Sequence, residues 1–478
     1  MPIIRSFFIA LSLAPVAATA VDGALDPEFA SGTGVLYRSY DFIGNEVVDE
    51  IARGIAIGAD QRITVVGDFQ HVPAGDGRDC GLLRALPNGD GYETSFMPAL
   101  GYGYYQFNLG GANDDICHAV ALDGSGGGYF VGSATTGPET RTGLIVRFGP
   151  NGAPNTGFYG DGVFLTHVDA AGALGAEDAD LRQVFIDDEG RVVVSGEATV
   201  LTEDGLAARG VVLRFNTDGT PDTSFFAGSS AAPLYNAADG STLHINASAE
   251  AADGGYWFAG YRDGGATTSQ GRLFRITPQG AFDAQVGGTN GLTVPQCIQL
   301  QSMAVDDAGR VLLGCLPTDP NRLPGVLRLV RVGDTWAADA SFGTNGYSEL
   351  RVSAADEPGL WPGVTRVAAV RVNAGRILVA GAYDPGRLLD NPSDVVVARL
   401  RDDGHKDETF GASGITRLGF GPGADQHYDA ATTLTLDASA RPLVVGQRYA
   451  TGGGGSSYFL ARLQQPPDLL LRDSFESF

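Results

Sequence analysis

The chain is almost without lysine. Lys406 is the only one among 32 basic residues, set against 56 acidic ones for a formal net charge of −24. A surface this acidic repels phosphate backbones and anionic headgroups, which excludes a nucleic-acid partner. Helical periodicity is missing as well: no useful stretch places apolar residues at i, i+3, i+4 and i+7, so a helical domain is excluded. Beyond the N-terminus no segment reaches the roughly 18 uninterrupted apolar residues that a membrane span needs. There is no CxxC pair and no HExxH motif to hold zinc, and no GxSxG nucleophile elbow. The 69 glycines follow no period of three, which excludes collagen.

What the chain does have is a repeat. An arginine returns every 56 to 68 residues, at Arg84, Arg147, Arg214, Arg275, Arg331, Arg399 and Arg462. It introduces a turn that carries, in most copies, Asn/Asp-Gly, then Asp or Asn, then Phe, as in RFGPNGAPNTGF and RLRDDGHKDETFG. Ahead of it lies an apolar run that ends in glycine: RITVVG, GYFVG, RVVVSG, GYWFAG, RILVAG and RPLVVG, with RVLLGC as a shifted copy. These runs are β-branched and aromatic and follow Asp/Gly turns, so they read as strands. A second strand precedes each of them, and two more follow. Units begin near Ile51, Cys117, Leu181, Ile245, Ile298, Val364 and Ala430, which makes seven.

Stacked supersecondary units of this period are a repeat architecture. Four-stranded units arrayed radially leave only short sheet edges, so the expected fold is all-β, a seven-bladed β-propeller of antiparallel blades. The seventh unit lacks its turn phrase, since Pro466-Pro467 follow YFLARLQ. That phrase stands instead at Gly23–Phe29, ahead of the strand GVLYRSYDF. The N-terminal strand is therefore expected to complete the last blade and close the ring, which removes two open sheet edges.

At these phrases the chain resembles the bacterial delta-60 repeat proteins, whose units run "DG-ilvaG … aRl-dGslD-sFG-dG". The local matches are Gly23–Phe29, Thr220–Phe225, Ser341–Gly346 and Lys406–Gly414, and the resemblance extends over nearly the whole chain after the leader. Unit 1 departs most, with NGDGYETSFM, and unit 4 has Val286 where Phe is usual. The resemblance implies a propeller-like fold. It implies no activity and no catalytic residues.

The N-terminus MPIIRSFFIALSLAPVAATA has Arg5, an apolar stretch from Ser6 to Val16, and the small-x-small site Ala18-Thr19-Ala20. It reads as a secretory signal peptide. The expected organisation is a leader at 1–20, a propeller over 21–466 and a tail at 467–478, in a secreted, periplasmic or cell-surface protein. The tail LLLRDSFESF reads as a docked or frayed terminus, with a surface-attachment cue as its functional alternative. Four cysteines suit an oxidising compartment. Cys80, Cys117, Cys297 and Cys315 permit three connectivities. Sequential pairing is preferred, because Cys297 and Cys315 flank the hairpin IQLQSMAV-DDAG-RVLLG.

A residue found in every unit solves a packing problem common to every unit. The repeated arginines are expected to pair with turn carboxylates such as Asp222, Asp339 and Asp407, as exposed pairs worth less than about 1 kcal/mol. Phe29, Phe96, Phe158, Phe225, Phe342 and Phe410 read as wedges between blades. The glycine closing each apolar strand serves positive φ or close backbone approach.

The turns Asn216-x-Asp218-Gly-x-x-Asp222 and Asp402-Asp403-Gly-x-x-Asp407 resemble calcium loops, but no terminal bidentate acid completes them. No cofactor is expected, and calcium is the one ion considered. Gly124-Ser125-Gly126-Gly127-Gly128 precedes a strand, whereas a phosphate cradle opens onto a helix. Residues 71, 118, 167, 244, 405 and 427 are the six histidines; they show no ligand spacing and hold unrelated repeat positions.

The favoured function is an exported, non-catalytic binding or scaffold module that meets a protein or glycan through its loops or channel as a monomer. One alternative is a propeller enzyme acting on extracellular carbohydrate, as hydrolase or lyase; another is a calcium-stabilised adhesion module. An enzyme would gather unrepeated His, Tyr, Arg or acids at one channel mouth, and the sequence shows no such excess.

Overall fold

The protein is seen here in a computed structural model that describes residues 21–38, 49–70, 77–96, 104–107, 114–135, 141–166, 178–202, 205–226, 231–233, 241–263, 269–352, 362–384, 393–420, 427–450 and 456–465. The leader at 1–20, the tail at 467–478, His71 and His167 lie outside them.

Seven antiparallel sheets form a ring of seven blades. The first, innermost strands are Glu50–Ile57, Asp115–Leu122, Asp178–Ile186, Thr242–Glu250, Cys297–Val305, Arg366–Asn373 and His427–Leu436, and blades 1 to 7 are numbered by them. Six sheets have four strands and blade 5 has five. Among the described residues the only helical pieces are two 3-10 turns, Ala284–Val286 and Gly288–Asn290. No described helix is long and apolar enough to cross a membrane.

The second strand of each blade is buried on both faces. Ile63–Gln70 and Gly128–Thr135 are buried at every position but the last, which explains why those runs are continuously apolar instead of alternating. Seven hydrophobic clusters result, one at each blade–blade interface. The core is thus a ring of seven interfaces, and each unit is stable only against its neighbours.

Closure follows the expected scheme. Val35–Arg38 pairs antiparallel with Ser456–Arg462, in the register Val35↔Ala461 to Arg38↔Tyr458. Gly23 N–H donates to the Gln464 carbonyl at 3.0 Å, and Gln464 N–H returns a bond to Ala24 at 2.7 Å. Phe29, from the N-terminal phrase, is fully buried with Ile63 of blade 1 and Leu443 of blade 7.

The disulfides pair sequentially. Cys297–Cys315 (Cα–Cα 5.5 Å) crosses the blade 5 hairpin, whereas Cys80–Cys117 (Cα–Cα 5.3 Å) joins the third strand of blade 1 to the innermost strand of blade 2. The second bond links separate units, so it resists opening of an interface as well as of a loop.

The repeated arginines do pair with the turn acids: Arg214 with Asp222 (2.8 Å), Arg399 with Asp407 (2.9 Å), Arg462 with Asp26 (2.7 Å). Two expectations need correction. The pairs are buried, Arg214 being 2% exposed. In blade 5 the role falls to Arg328, which bonds Asp339 at 2.8 Å, while the Arg331 side chain is 55% exposed. The cause is an extra hairpin, Gly325–Val332 with Thr335–Ala338, which carries the strand past the usual turn and displaces the apparent phase of the repeat.

Four motif arginines also reach the next blade, whereas Arg147 and Arg275 pair with Asp123 and Asp253 of their own blades. Arg84 donates to the carbonyl of Pro150 and Arg462 to that of Pro87, both at 2.9 Å. Arg214 and Arg328 donate likewise to Pro278 and Asp402. The guanidinium lies over the motif phenylalanine, 4.3 Å from the ring centroid for Arg84–Phe96 and Arg214–Phe225. That phenylalanine fills the space under the next blade's turn glycine: a Cβ on Gly152 (φ +82°) would lie 2.7 Å from Phe96. In blade 4, where Val286 replaces Phe, Arg275 sits over Trp257, and Trp336 from the blade 5 hairpin packs edge-on against Trp257 at 4.9 Å.

Candidate functional site

The innermost strands surround a central cavity of ≈ 500 Å³ to which all seven blades contribute. The side chains that reach it are selected by a shared irregularity. Every innermost strand has a register shift at a common place that leaves a residue unpaired: Arg53, His118, Arg182, Asn246, Gln301, Ala368 and Thr432 in blades 1 to 7, with a second shift at Ile298 in blade 5. A β-bulge re-aims a side chain, and all seven of these residues line the cavity.

The bulges explain the glycine that ends each apolar run. A Cβ on Gly132 would lie 1.8 Å from the Ile116 carbonyl of the bulged strand. Gly132 does not have positive φ, so of the two expected reasons close approach is the operative one. The residue after this glycine then flanks the same end of the bulge; Asp68, Ser133, Glu197 and Tyr261 hold this place in blades 1 to 4.

A polar network across blades 2 to 4 results. His118 Nε2 donates to Asp180 Oδ1 at 2.9 Å, and Arg182 Nε donates to Asp180 Oδ2 at 3.1 Å. Arg182 also pairs with Glu197 at 3.3 Å. His244 Nδ1 donates to Glu197 Oε2 at 3.0 Å, and the His244 ring stacks on Tyr261 at 4.6 Å. Burial pushes the Asp180 carboxyl up, but the hydrogen bond and charge of His118 and the charge of Arg182 outweigh it and hold Asp180 well below the usual carboxylate range. Burial, then the charge of Glu197, pushes the Tyr261 phenol up, which keeps it neutral. In blade 1 the buried Asp68 is clasped by Arg53 and Arg78.

The bulge residues also lock neighbouring blades together. Asn246 Nδ2 donates to the Leu300 carbonyl at 2.8 Å, Thr432 Oγ1 to the Ala52 carbonyl at 2.7 Å, and Gln301 Oε1 accepts from Val367 N–H at 2.8 Å. The ring is therefore held rigidly, with polar groups directed to the cavity on a fixed scaffold.

This arrangement corrects the reading that no unrepeated polar residues converge. His118 and His244 do converge, with Asp180, Arg182, Glu197 and Tyr261. His405 lies elsewhere, in the Asp403–His405 turn. The signal was present as two variable columns in a uniform repeat, the residue after the buried apolar position of the inner strand and the residue after the strand-ending glycine. A bulge in every unit had to be known before these columns could be aligned.

The suspected calcium turns are already engaged. Asp222 and Asp407 hold arginines, Asp402 pairs with Arg310, and the Asp218 and Asp403 carboxylates accept from Thr220 and His405 N–H within their own turns. Among the described residues the one group of three acids close enough to share an ion is Asp187, Glu189 and Glu250, and Asp187 already accepts from Arg191 and Tyr256.

Two segments, 190–225 and 375–410, match the family described as "Domain of unknown function (DUF5122) beta-propeller". Both end on the motif phenylalanine, Phe225 or Phe410, and both exclude the inner strand of their blade. The match supports a propeller-repeat sequence. No curated protein matches the chain. Similar solved structures include the β-propeller domain of the Trilobed protease from Pyrococcus furiosus (8% identity, 89% of this chain and 98% of that one, TM-score 0.43). A polysaccharide lyase, PL25-Ulvanlyase, is 11% identical over 89% and 98% of the two chains, with a TM-score of 0.45. A protein of unknown function from Dyadobacter fermentans is 12% identical over 90% and 100%, with a TM-score of 0.39. Likeness at this level bears on neither ligand nor activity.

Proposed function

We propose that this protein is an exported binding propeller, of the delta-60 repeat kind, whose ligand enters the central cavity. The carrying observation is the unrepeated polar set drawn from three blades, in which His118, Arg182 and Tyr261 line the cavity and Asp180, Glu197 and His244 hold them from behind. Repeated residues build the ring, so a polar set that differs from blade to blade is what a specific ligand would select. Export is supported by the leader-like N-terminus and by two disulfides, which persist in oxidising compartments. Binding is favoured over catalysis because Asp180 and Glu197 are both held by Arg182 and a histidine, which suits a fixed shape.

A glycan array probed with the native protein and with His118→Ala/His244→Ala tests this reading. A glycan retained by the native protein and lost by the variant, at unchanged melting temperature, is expected. An empty array, or retention equal in both, overturns it.

A carbohydrate hydrolase or lyase is the second reading, favoured by the two histidines each backed by a carboxylate, an arrangement that orients a proton-transfer group. Shortening of a polysaccharide during incubation with the native protein, and not with the double variant, would establish it.

A further inference from the structure

The cavity has an electrostatic asymmetry that runs against the whole chain. Acids outnumber bases by 56 to 32, yet the residues lining the cavity include Arg53, Arg182, Arg366, Arg371 and His118, and no Asp or Glu. Arg53 and Arg182 are matched by carboxylates set behind them. Arg366 and Arg371 are not: no described carboxylate lies within ion-pair distance of either. Arg366 donates to the Ala431 carbonyl at 3.1 Å, and Arg371 to the carbonyl of its own neighbour Val370 at 2.9 Å. Both belong to the innermost strand of blade 6 and flank its bulge.

Neither arginine is part of the repeat. By register, the place of Arg371 holds Ala56, Ala121, Ala249 and Ala304 in blades 1, 2, 4 and 5. Blade 6 is also the blade whose bulge residue is alanine, Ala368, and the residue after its glycine is another alanine, Ala382. Small side chains on both columns leave room beside the two guanidiniums. A guanidinium stays charged at neutral pH; Arg366 is exposed and Arg371 half-buried, so both charges are within reach of a ligand in the cavity. Two such charges facing one cavity suit an anionic ligand.

Blades 3 to 5 line the cavity with amides and a ring. Gln183, Asn246 and Gln301 each spend one end of the amide on backbone of the next blade, which fixes the other end as a donor or acceptor. Tyr261 adds an aromatic face. Amides and an aromatic face suit hydroxyls and the apolar face of a sugar ring, and paired arginines suit a carboxylate.

Resting on the proposal that the cavity is the binding site, we infer that its ligand is an acidic oligosaccharide, with a uronate carboxylate held by Arg366 and Arg371. The test is calorimetric titration of the full-length protein with trigalacturonate, with its carboxyl-reduced neutral counterpart, and with sulfate alone. Trigalacturonate is expected to bind, the neutral sugar at least tenfold more weakly, and sulfate weakly. Arg366→Gln/Arg371→Gln should lose at least tenfold in affinity for trigalacturonate while Arg366→Lys/Arg371→Lys retains most of it. Melting curves of both variants, set beside Arg331→Gln, separate lost binding from lost fold. Equal binding of acidic and neutral sugars overturns this inference and leaves the cavity reading standing. Binding of sulfate alone, or trigalacturonate binding indifferent to both variants, also overturns it. Silence of both sugars overturns it together with the glycan reading of the cavity.

Discussion

Arg399 and Asp22, 377 positions apart, form a two-pronged ion pair in which both side chains are buried. Arg399 stands at the end of blade 6, and in blades 1, 3, 5 and 7 the equivalent arginine reaches the carbonyl of the next blade's turn. For blade 6 the next turn is supplied by the N-terminus, so Asp22 takes the place of that carbonyl. Thr416 Oγ1 donates to the Gly23 carbonyl at 2.7 Å beside it. The first described residues are thus bound to two blades at once, blade 6 through Asp22 and blade 7 through Val35–Arg38.

Removing residues 21–38 should therefore open the ring. The deletion strips the fourth strand from blade 7 and the Phe29 wedge from the blade 7–blade 1 core. A large fall in melting temperature or aggregation through the exposed edge is expected. Scanning calorimetry with light scattering checks it, and an unchanged melting curve would contradict closure.

The motif arginines should divide sharply by burial. Arg214→Met leaves Asp222 buried without its partner and should cost about 3–5 kcal/mol. Arg331→Met, at the exposed hairpin, should change stability by less than about 0.5 kcal/mol. Urea titration of the two variants measures the difference, and equal effects would show that the repeat phase had been assigned to the wrong arginine.

The strand-ending glycines should tolerate no side chain. Gly132→Ala drives a Cβ into the Ile116 carbonyl, and a loss of about 1–3 kcal/mol or more is expected. At Gly91 nothing lies within 4 Å of a Cβ, so Gly91→Ala should be close to neutral. Thermal melts of the pair check the bulge geometry directly.

Acid should weaken the ring through carboxylates that are held ionised. Asp180 has its pKa depressed in the fold, and so do Asp222, Asp339 and Asp407, where burial is outweighed by hydrogen bonds from the following Ser or Thr and by the motif arginine. A depressed folded pKa gives stability that is complete above the unfolded value of about 3.9 and is lost as pH falls toward the folded one. Melting temperature should hold above about pH 5 and drop steeply below about pH 4. Asp180→Asn should lower the plateau and flatten part of that drop; an identical pH profile would remove Asp180 from the account.

The repeat makes the scaffold legible in the sequence. Seven copies of an apolar run, an arginine, a turn and a phenylalanine define seven equivalent blades, because identical packing problems call for identical residues. The N-terminal phrase Gly23–Phe29, missing from the C-terminus, even showed where the ring closes. In blade 5 the repeat spacing points to Arg331, but an inserted hairpin alters spacing without altering residue type, and only the folded structure shows that Arg328 packs on Phe342.

The central polar set was written in the same sequence but could not be read from it. His118, Arg182, Asn246 and Gln301 sit some 60 residues apart, and each resembles an ordinary strand residue in its own unit. Residue type and short-range periodicity determine which segments become strands and which face is buried, because those are local matters of shape and hydrophobicity. Which side chains meet at the centre depends on a bulge at a common place in each innermost strand and on the ring that brings seven such bulges together. That convergence is a property of closure, and no local stretch of sequence contains it.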